Sequence, residues 1–450
     1  MNSIERRATI SLVLIYATRM LGLFLILPVF ALYAEELLHV TPLLVGVAIG
    51  IYGLTQAIFQ IPFGAWSDRI GRKPVIIIGL VIFALGSVIA AQAESIYWVI
   101  FGRALQGMGA IASAIMALAS DLTRPEHRTK VMAAIGASIG VSFMLALVMG
   151  PVLQNWVGVP GIFWITALFA GLGIVIVAFT IPTPIHSSSY ASVNSQGLRS
   201  ALKDSQLVRL DVGVFILHLV LTSVFVVVPV ILRDSFQISP DQHWKIYFAV
   251  LLISIILLIP SVLLSEKFNK IKFAFLMAIM LCAISHLVLF ISINTLTLFI
   301  FAMVVFFWGF NLLEASMPSL VSKITDPRAK GVSMGVYSSS QFLGAFFGGV
   351  IAGLLLENFD RNAVFLFAFI MFLIWFLVAF SMKTPATYKT ITVSLGKVNT
   401  GRAADYATQL LGLRGVSDVI VVAEEGLAYI QIDKATFEEK DLKIICSQLN

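Results

Sequence analysis

Between Gly64 and Pro74 the chain reads GAWSDRIGRKP, so Asp68, Arg69, Arg72 and Lys73 crowd into six positions between long runs that carry almost no charge. Short connections beside a membrane collect Arg and Lys in any case, which accounts for the cations. It does not account for Asp68, nor for the glycines at Gly64 and Gly71. An anion here has two natural partners, a nearby guanidinium and the unpaired N–H groups at the start of a helix. Gly64 lets a neighbouring helix come close, and Gly71 permits a tight turn.

Other polar residues stand inside apolar runs: Arg19, Arg103, His218, His286, Asn311 and Glu314. A charged side chain at the centre of a bilayer costs about 2.5–3.5 kcal/mol and therefore faces a cavity or a partner. Asn311, Glu314 and Pro318 share one helical face. A carboxyl in that setting is a candidate for reversible protonation. Glu314 is the best placed, Asp121 comes second, and the two histidines are weaker because a His in an apolar run is more often packed and hydrogen-bonded. There is no nucleophile elbow, zinc-type His pair or phosphate loop, so the expectation is no enzyme, no cofactor and no metal. Cys282 and Cys446 have no evident pairing.

Elements of a particular kind must position these residues. Of the 450 residues 59% are hydrophobic and only 12% charged, the balance of a membrane protein. About twelve runs are long enough to cross a bilayer: 10–33, 43–66, 75–93, 97–119, 131–153, 162–181, 212–232, 246–264, 273–293, 296–320, 332–356 and 364–380. The first is too long for a removable signal peptide. Alternate connections gather the basic residues: Arg6 and Arg7, then Arg69, Arg72 and Lys73, then Arg124, Arg128 and Lys130, with the same side favoured through to Lys330. By the positive-inside rule both termini are cytoplasmic, in a cell inner membrane. The net charge of +6 is then topological and calls for no nucleic acid. Trp98, Trp156, Trp164 and Trp244 fall where an outer interfacial belt is expected.

The polar, Ser-rich interval after Pro182 divides the runs six and six, and LASDLTRP at Leu118–Pro125 matches LVSKITDP at Leu320–Pro327 in register with Gly107 and Gly309. Duplicated six-helix halves are characteristic of secondary transporters. The expected divisions are a first bundle at 1–181, a central cytoplasmic loop at 182–208, a second bundle at 209–382, a linker at 383–388 and a cytoplasmic domain at 389–450. The fold expected is thus an all-α polytopic membrane protein with a small C-terminal α+β domain. In the tail TITVSL alternates, a helix follows, VSDVIVVAEEG and LAYIQID form a hairpin, and FEEKDLKIICSQLN is helical again, an order that suggests a ferredoxin-like sandwich. Its first loop holds no thiol, which argues against metal transport.

The pattern G-x-x-x-D-R-x-G-R-K between the second and third helices resembles motif A of the major facilitator superfamily, and the resemblance extends over residues 1–386. It implies two halves that alternately open a midplane cavity to each side, with Asp68 latching against the start of the eleventh helix and Arg72 pairing with Asp121. RALQGMGA, from Arg103, resembles motif B, whose Arg is implicated in proton coupling. GASIGVSFMLALVMGP resembles the antiporter motif C at Gly140, Gly150 and Pro151, although Gln154 and Asn155 replace its usual closing glycines. Where many family members carry an acid in the first helix this chain has Arg19, which leaves Glu314 as the coupling carboxylate. The resemblance implies a proton-coupled exporter of amphipathic or hydrophobic small molecules, acting as a monomer, with a tail that docks on cytoplasmic loops or binds a regulator. The alternatives are an importer of a metabolite and a membrane sensor that no longer transports.

Overall fold

The computed structural model describes residues 1–182, 202–268, 270–291, 295–325, 330–382, 388–395, 403–422, 426–433, 437 and 440. Most of the central polar loop, most of the linker and the last expected tail helix lie outside these residues. The chain divides into two compact units, Met1–Leu264 with Phe273–Met382, and Ser265–Lys272 with Lys383–Asn450.

The first unit is helical throughout. Helix α1, Ser3–Phe24, starts in a capping box in which Asn2 accepts from the Glu5 amide and the Glu5 side chain accepts from that of Asn2. There follow α2 (Pro42–Ile70), α3 (Arg72–Ala91) and α4 (Ile96–Asp121), the last interrupted around Gly109. The next helical stretch runs Pro125–Phe179. Its apolar part, Lys130–Phe179, would be about 75 Å long if straight, more than twice a bilayer core. It is not straight, because Gly158 has a φ of 68° and turns the chain back. The stretch is therefore two crossings, α5 (125–157) and α6 (159–179). After the loop come α7 (Ser205–Asp234), α8 (His243–Lys267), α9 (Ile271–Ile291), α10 (Leu296–Ile324), α11 (Lys330–Asn358) and α12 (Arg361–Phe380). Among the described residues, eleven helices are long and apolar enough to cross a membrane, and one of them is doubled back, which matches the twelve crossings expected.

Alternation of direction gives the bundle a Gly71 end and a Glu35 end. Trp98, Trp156 and Trp164 are exposed towards the Glu35 end, at 58%, 74% and 47%. There α2 and α11 touch backbone to backbone. A Cβ on Gly46 would lie 1.9 Å from the Gly349 carbonyl oxygen, and one on Gly53 would lie 2.4 Å from that of Phe342. Nearer the start of α11 a Cβ on Gly335 or Gly331 would meet nothing within 4 Å. The two helices therefore zip together over their Glu35 halves and part towards the Gly71 end. Parallel helices α7 and α11 pack as closely, with Gly344 and Gly348 against the Phe215 and Leu219 carbonyls.

Two further contacts join the halves. Arg233, at the end of α7, forks onto Glu35 with donor–acceptor distances of 2.7 and 2.9 Å. Deeper in, the Phe143 ring of α5 meets Phe225 of α7 and Phe310 of α10, with centroids 6.4 and 5.9 Å apart.

The second unit holds β1 (Tyr388–Ser394), α13 (Ala403–Leu411), β2 (Val416–Val422) and β3 (Leu427–Asp433). Strand β3 lies between the other two and is antiparallel to both, so β1 and β2 are parallel to each other and joined by α13. Leu395, Leu410, Val419, Ala428, Ile430 and Ile432 form its core. The first four tail elements are those the sequence periodicity requires.

Candidate functional site

At the Gly71 end the charged stretch is built around Arg72. Helix α2 stops because Gly71 adopts a φ of +99°, which reverses the chain into α3. Arg72 is 5% exposed and forms ion pairs with Asp68 and, at 3.3 Å, with Asp121 at the end of α4. It also donates to the Ser67 hydroxyl at 2.7 Å. Lys73 donates to the carbonyl of Ile181 at 2.8 Å, so its charge sits on the orphan carbonyls that end α6. Gly64 faces Ser113 of α4, where a Cβ would stand 3.1 Å from the hydroxyl. Arg69 points outward and is exposed. In this conformation Asp68 is ion-paired within its own half, and a Cβ on Gly331, in the first turn of α11, would meet nothing within 4 Å.

The two buried arginines are tied into the first half. Arg19 is 2% exposed and donates from Nη2 to Gln56 at 2.7 Å and to the Gly109 carbonyl at 2.8 Å. Gly109 is where α4 breaks, and its carbonyl accepts from the Ile111 amide at 2.9 Å as well as from Arg19. Arg103 is 1% exposed, donates to Gln106 at 2.9 Å and lies over the Tyr52 ring. Gln106 in turn donates to Ser87, which knits α3 to α4. Among the described residues neither arginine has a carboxylate partner. The antiporter-like stretch divides by role, with Gly150 packed against the Leu25 carbonyl, Pro151 one residue on inside α5, and Gly140 facing open space.

In the second half the structure brings together residues that the sequence offered separately. Glu314 of α10 has Oε2 3.8 Å from His218 Nε2 of α7. His218 is also 2.8 Å from Gln341 Nε2 of α11, and its Nδ1 is 3.2 Å from the Val214 carbonyl. His218 thus stands between Gln341 of α11 and Glu314 of α10. The Phe310 ring covers His218 with centroids 6.0 Å apart. His286 is elsewhere, fully buried in α9 between Phe306 and Phe372 and bonded to the Cys282 carbonyl at 2.8 Å. Asn311 donates to Ser254 at 3.2 Å and joins α10 to α8.

The sequence reading missed Asp211 and Tyr337. The apolar run taken for α7 starts at Val212, which left Asp211 just outside the span, whereas the helix begins at Ser205 under an Asp204 cap. Its spacing of seven from His218 is the signal that places both on one helical face. Glu35 and Arg233 were missed because nothing in one half of the sequence announces a partner in the other.

The family model of the Major Facilitator Superfamily matches residues 12–210 and 210–414. The inner membrane transport protein YajR of Escherichia coli (strain K12) is 41% identical over 434 residues, which is 95% of this chain and 94% of that protein. Multidrug resistance protein 1 of Bacillus subtilis (strain 168) is 24% identical over 83% of this chain and 95% of its own length. Among solved structures, a bacterial homolog of the human lysosomal transporter Spinster covers 84% of this chain and 97% of its own, with a TM-score of 0.67 at 15% identity. That likeness carries the fold.

Proposed function

This chain belongs to the major facilitator superfamily, and on that premise we propose that it is a proton-coupled exporter of amphipathic or hydrophobic small molecules that works by alternating access. The observation that carries the coupling is the Glu314–His218 contact of 3.8 Å, set beside a parting between the halves and roofed by Phe310. Two titratable groups so close exchange a proton for a charge pair, and the Gln341 amide changes its own role by flipping. The aromatic roof supports an apolar solute, since undirected contacts tolerate many shapes. Its likeness to a protein named for multidrug resistance supports the same direction of transport.

In this reading the Gly71 end is cytoplasmic, as its arginines and lysines require, and the conformation described is open to that side. Gly64, Asp68, Arg69, Gly71, Arg72, Lys73 and Asp121 form a latch for the opposite state. When the cytoplasmic mouth shuts, Asp68 meets the unpaired amides at the start of α11, while Arg72 and Asp121 keep α2, α3 and α4 moving together. The split β1–α13–β2 arrangement with β3 between supports a ferredoxin-like regulatory tail. Flux in sealed vesicles under an imposed pH gradient tests the reading. Glu314→Gln abolishes proton-driven flux and spares solute binding, whereas flux that still follows the gradient in that variant overturns the assignment.

A further inference from the structure

The second compact unit is more than the tail. Ser265–Lys272, the end of α8 and the turn into α9, belongs to it together with Lys383–Asn450. Each half has such a turn between its second and third helices, and the two read alike. S-E-K-F-N-K from Ser265 stands against S-D-R-I-G-R from Ser67, with acid, base, apolar, turn and base residues in the same order. In the first half the cations of the turn are answered inside the membrane unit, Arg72 by Asp68 and Asp121 and Lys73 by the Ile181 carbonyl. The second half lacks the second of those acids, because the position in register with Asp121, between LASDLTRP and LVSKITDP, is Lys323. Lys270 and Lys272 moreover stand at the start of α9, where unpaired amides already carry positive charge. A latch in this turn would also find nothing to close on. The start of α5, the counterpart of the start of α11, is covered by Glu5, which accepts from the Arg124 amide and from Arg124 Nε, both at 3.0 Å.

Lys272 is nonetheless half-buried and has an interaction partner. An ammonium group withdrawn from water needs a counter-charge. Apart from Glu266, every carboxylate of the second unit belongs to the tail, among them the exposed Asp405 in the first turn of α13 and the sequence pairs Glu424–Glu425 and Glu438–Glu439. We propose that the α8–α9 turn is the docking surface of the tail, with Lys272 held by a tail carboxylate, so that the tail takes the place of the latch this turn has lost. The docking stands on its own. Only its consequence, that whatever binds the tail is felt at α8 and α9, rests on the reading of the tail as regulatory.

Amide hydrogen exchange on the purified full-length protein tests the docking without a transport assay. The Lys270 amide donates to the Ser265 carbonyl at 2.9 Å, so its exchange reports the opening of the turn. Deleting residues 389–450 should speed exchange over 265–272 about tenfold and leave the first-half turn, 67–74, unchanged. Lys272→Glu should speed it to a similar extent with the tail present, even though a carboxylate suits the start of α9 better than an ammonium does. Lys272→Arg should keep the parent rate. Protection of β3 confirms that the tail is folded in each substituted variant. Turn exchange that is the same with and without the tail overturns the proposal, as does equal quickening of the two turns, or the parent rate in Lys272→Glu.

Discussion

Replacing Gly46 with Ala should drive the protein out of the conformation described here. The added Cβ would stand 1.9 Å from the Gly349 carbonyl oxygen, against the 3.4 Å at which ordinary contact begins, so α2 and α11 must part by about 1.5 Å. Both sides of the clash are backbone, and no rotamer change relieves it. Overpacking of this kind costs about 1–3 kcal/mol. The roughly 1 kcal/mol by which Ala outdoes Gly in a helix applies to every state in which α2 is helical, so it cancels between conformers. The net bias is about five- to hundredfold away from closure at the Glu35 end. The Arg233–Glu35 pair is a third to a half exposed and contributes at most about 1 kcal/mol, so Arg233→Gln should shift the balance less than Gly46→Ala does. Spin-label distances report the outcome, with one pair at His39 and Phe359 and a second at Arg69 and Gly331, all exposed positions. The first distance should lengthen and the second shorten. Gly335→Ala, where a Cβ meets nothing within 4 Å, is the matched control. Identical distance distributions for Gly46→Ala and Gly335→Ala would refute the reasoning.

Asp68→Asn should raise the population open at the Gly71 end about tenfold, the scale of a partly buried charge on a helix terminus. Labelling of a cysteine at Gly335 reads it, and unchanged accessibility removes the latch. Deleting residues 389–450 should alter transport rate and leave the unfolding temperature of the membrane unit in place, because the tail has a core of its own. A large fall in that temperature shows the tail to be structural.

Much of the fold was legible because a bilayer leaves few options. Runs of about twenty apolar residues must be helices, and basic residues cluster at one end of them. The Gly71 turn and the first four tail elements follow from local residue types and spacing, and the Arg72–Asp121 pair is the one that the family resemblance implies. What escaped was everything that depends on contact between distant segments. Asp211 looked like a flank because hydropathy marks where the apolar run begins and a helix begins earlier, at its cap. Arg19 looked like a cavity charge, and its partners are Gln56 of α2 and the carbonyl at the break in α4, which no residue near Gly109 makes obligatory. Glu314 and His218 stood 96 residues apart, the histidine with a bland packing explanation, until α7 and α10 brought them within 3.8 Å.

For the proposed proton coupling, the placing of charge favours the second half. A residue that gains and loses a proton must change its contacts in the cycle, so it cannot be one whose bonds hold the bundle together. Arg103 and Arg19 are of that second kind, since each bonds to side chain or backbone on a neighbouring helix of the same half, and breaking those bonds would loosen α2, α3 and α4 from one another. Glu314 is the opposite case. Among the described residues its Oε2 has no hydrogen bond, its histidine neighbour is just beyond bonding distance, and Gln341 lies against that histidine. In the proposed mechanism the half that carries motif A moves as a rigid body with its cations sealed inside, while the other half keeps its acids loose enough to exchange a proton for a solute.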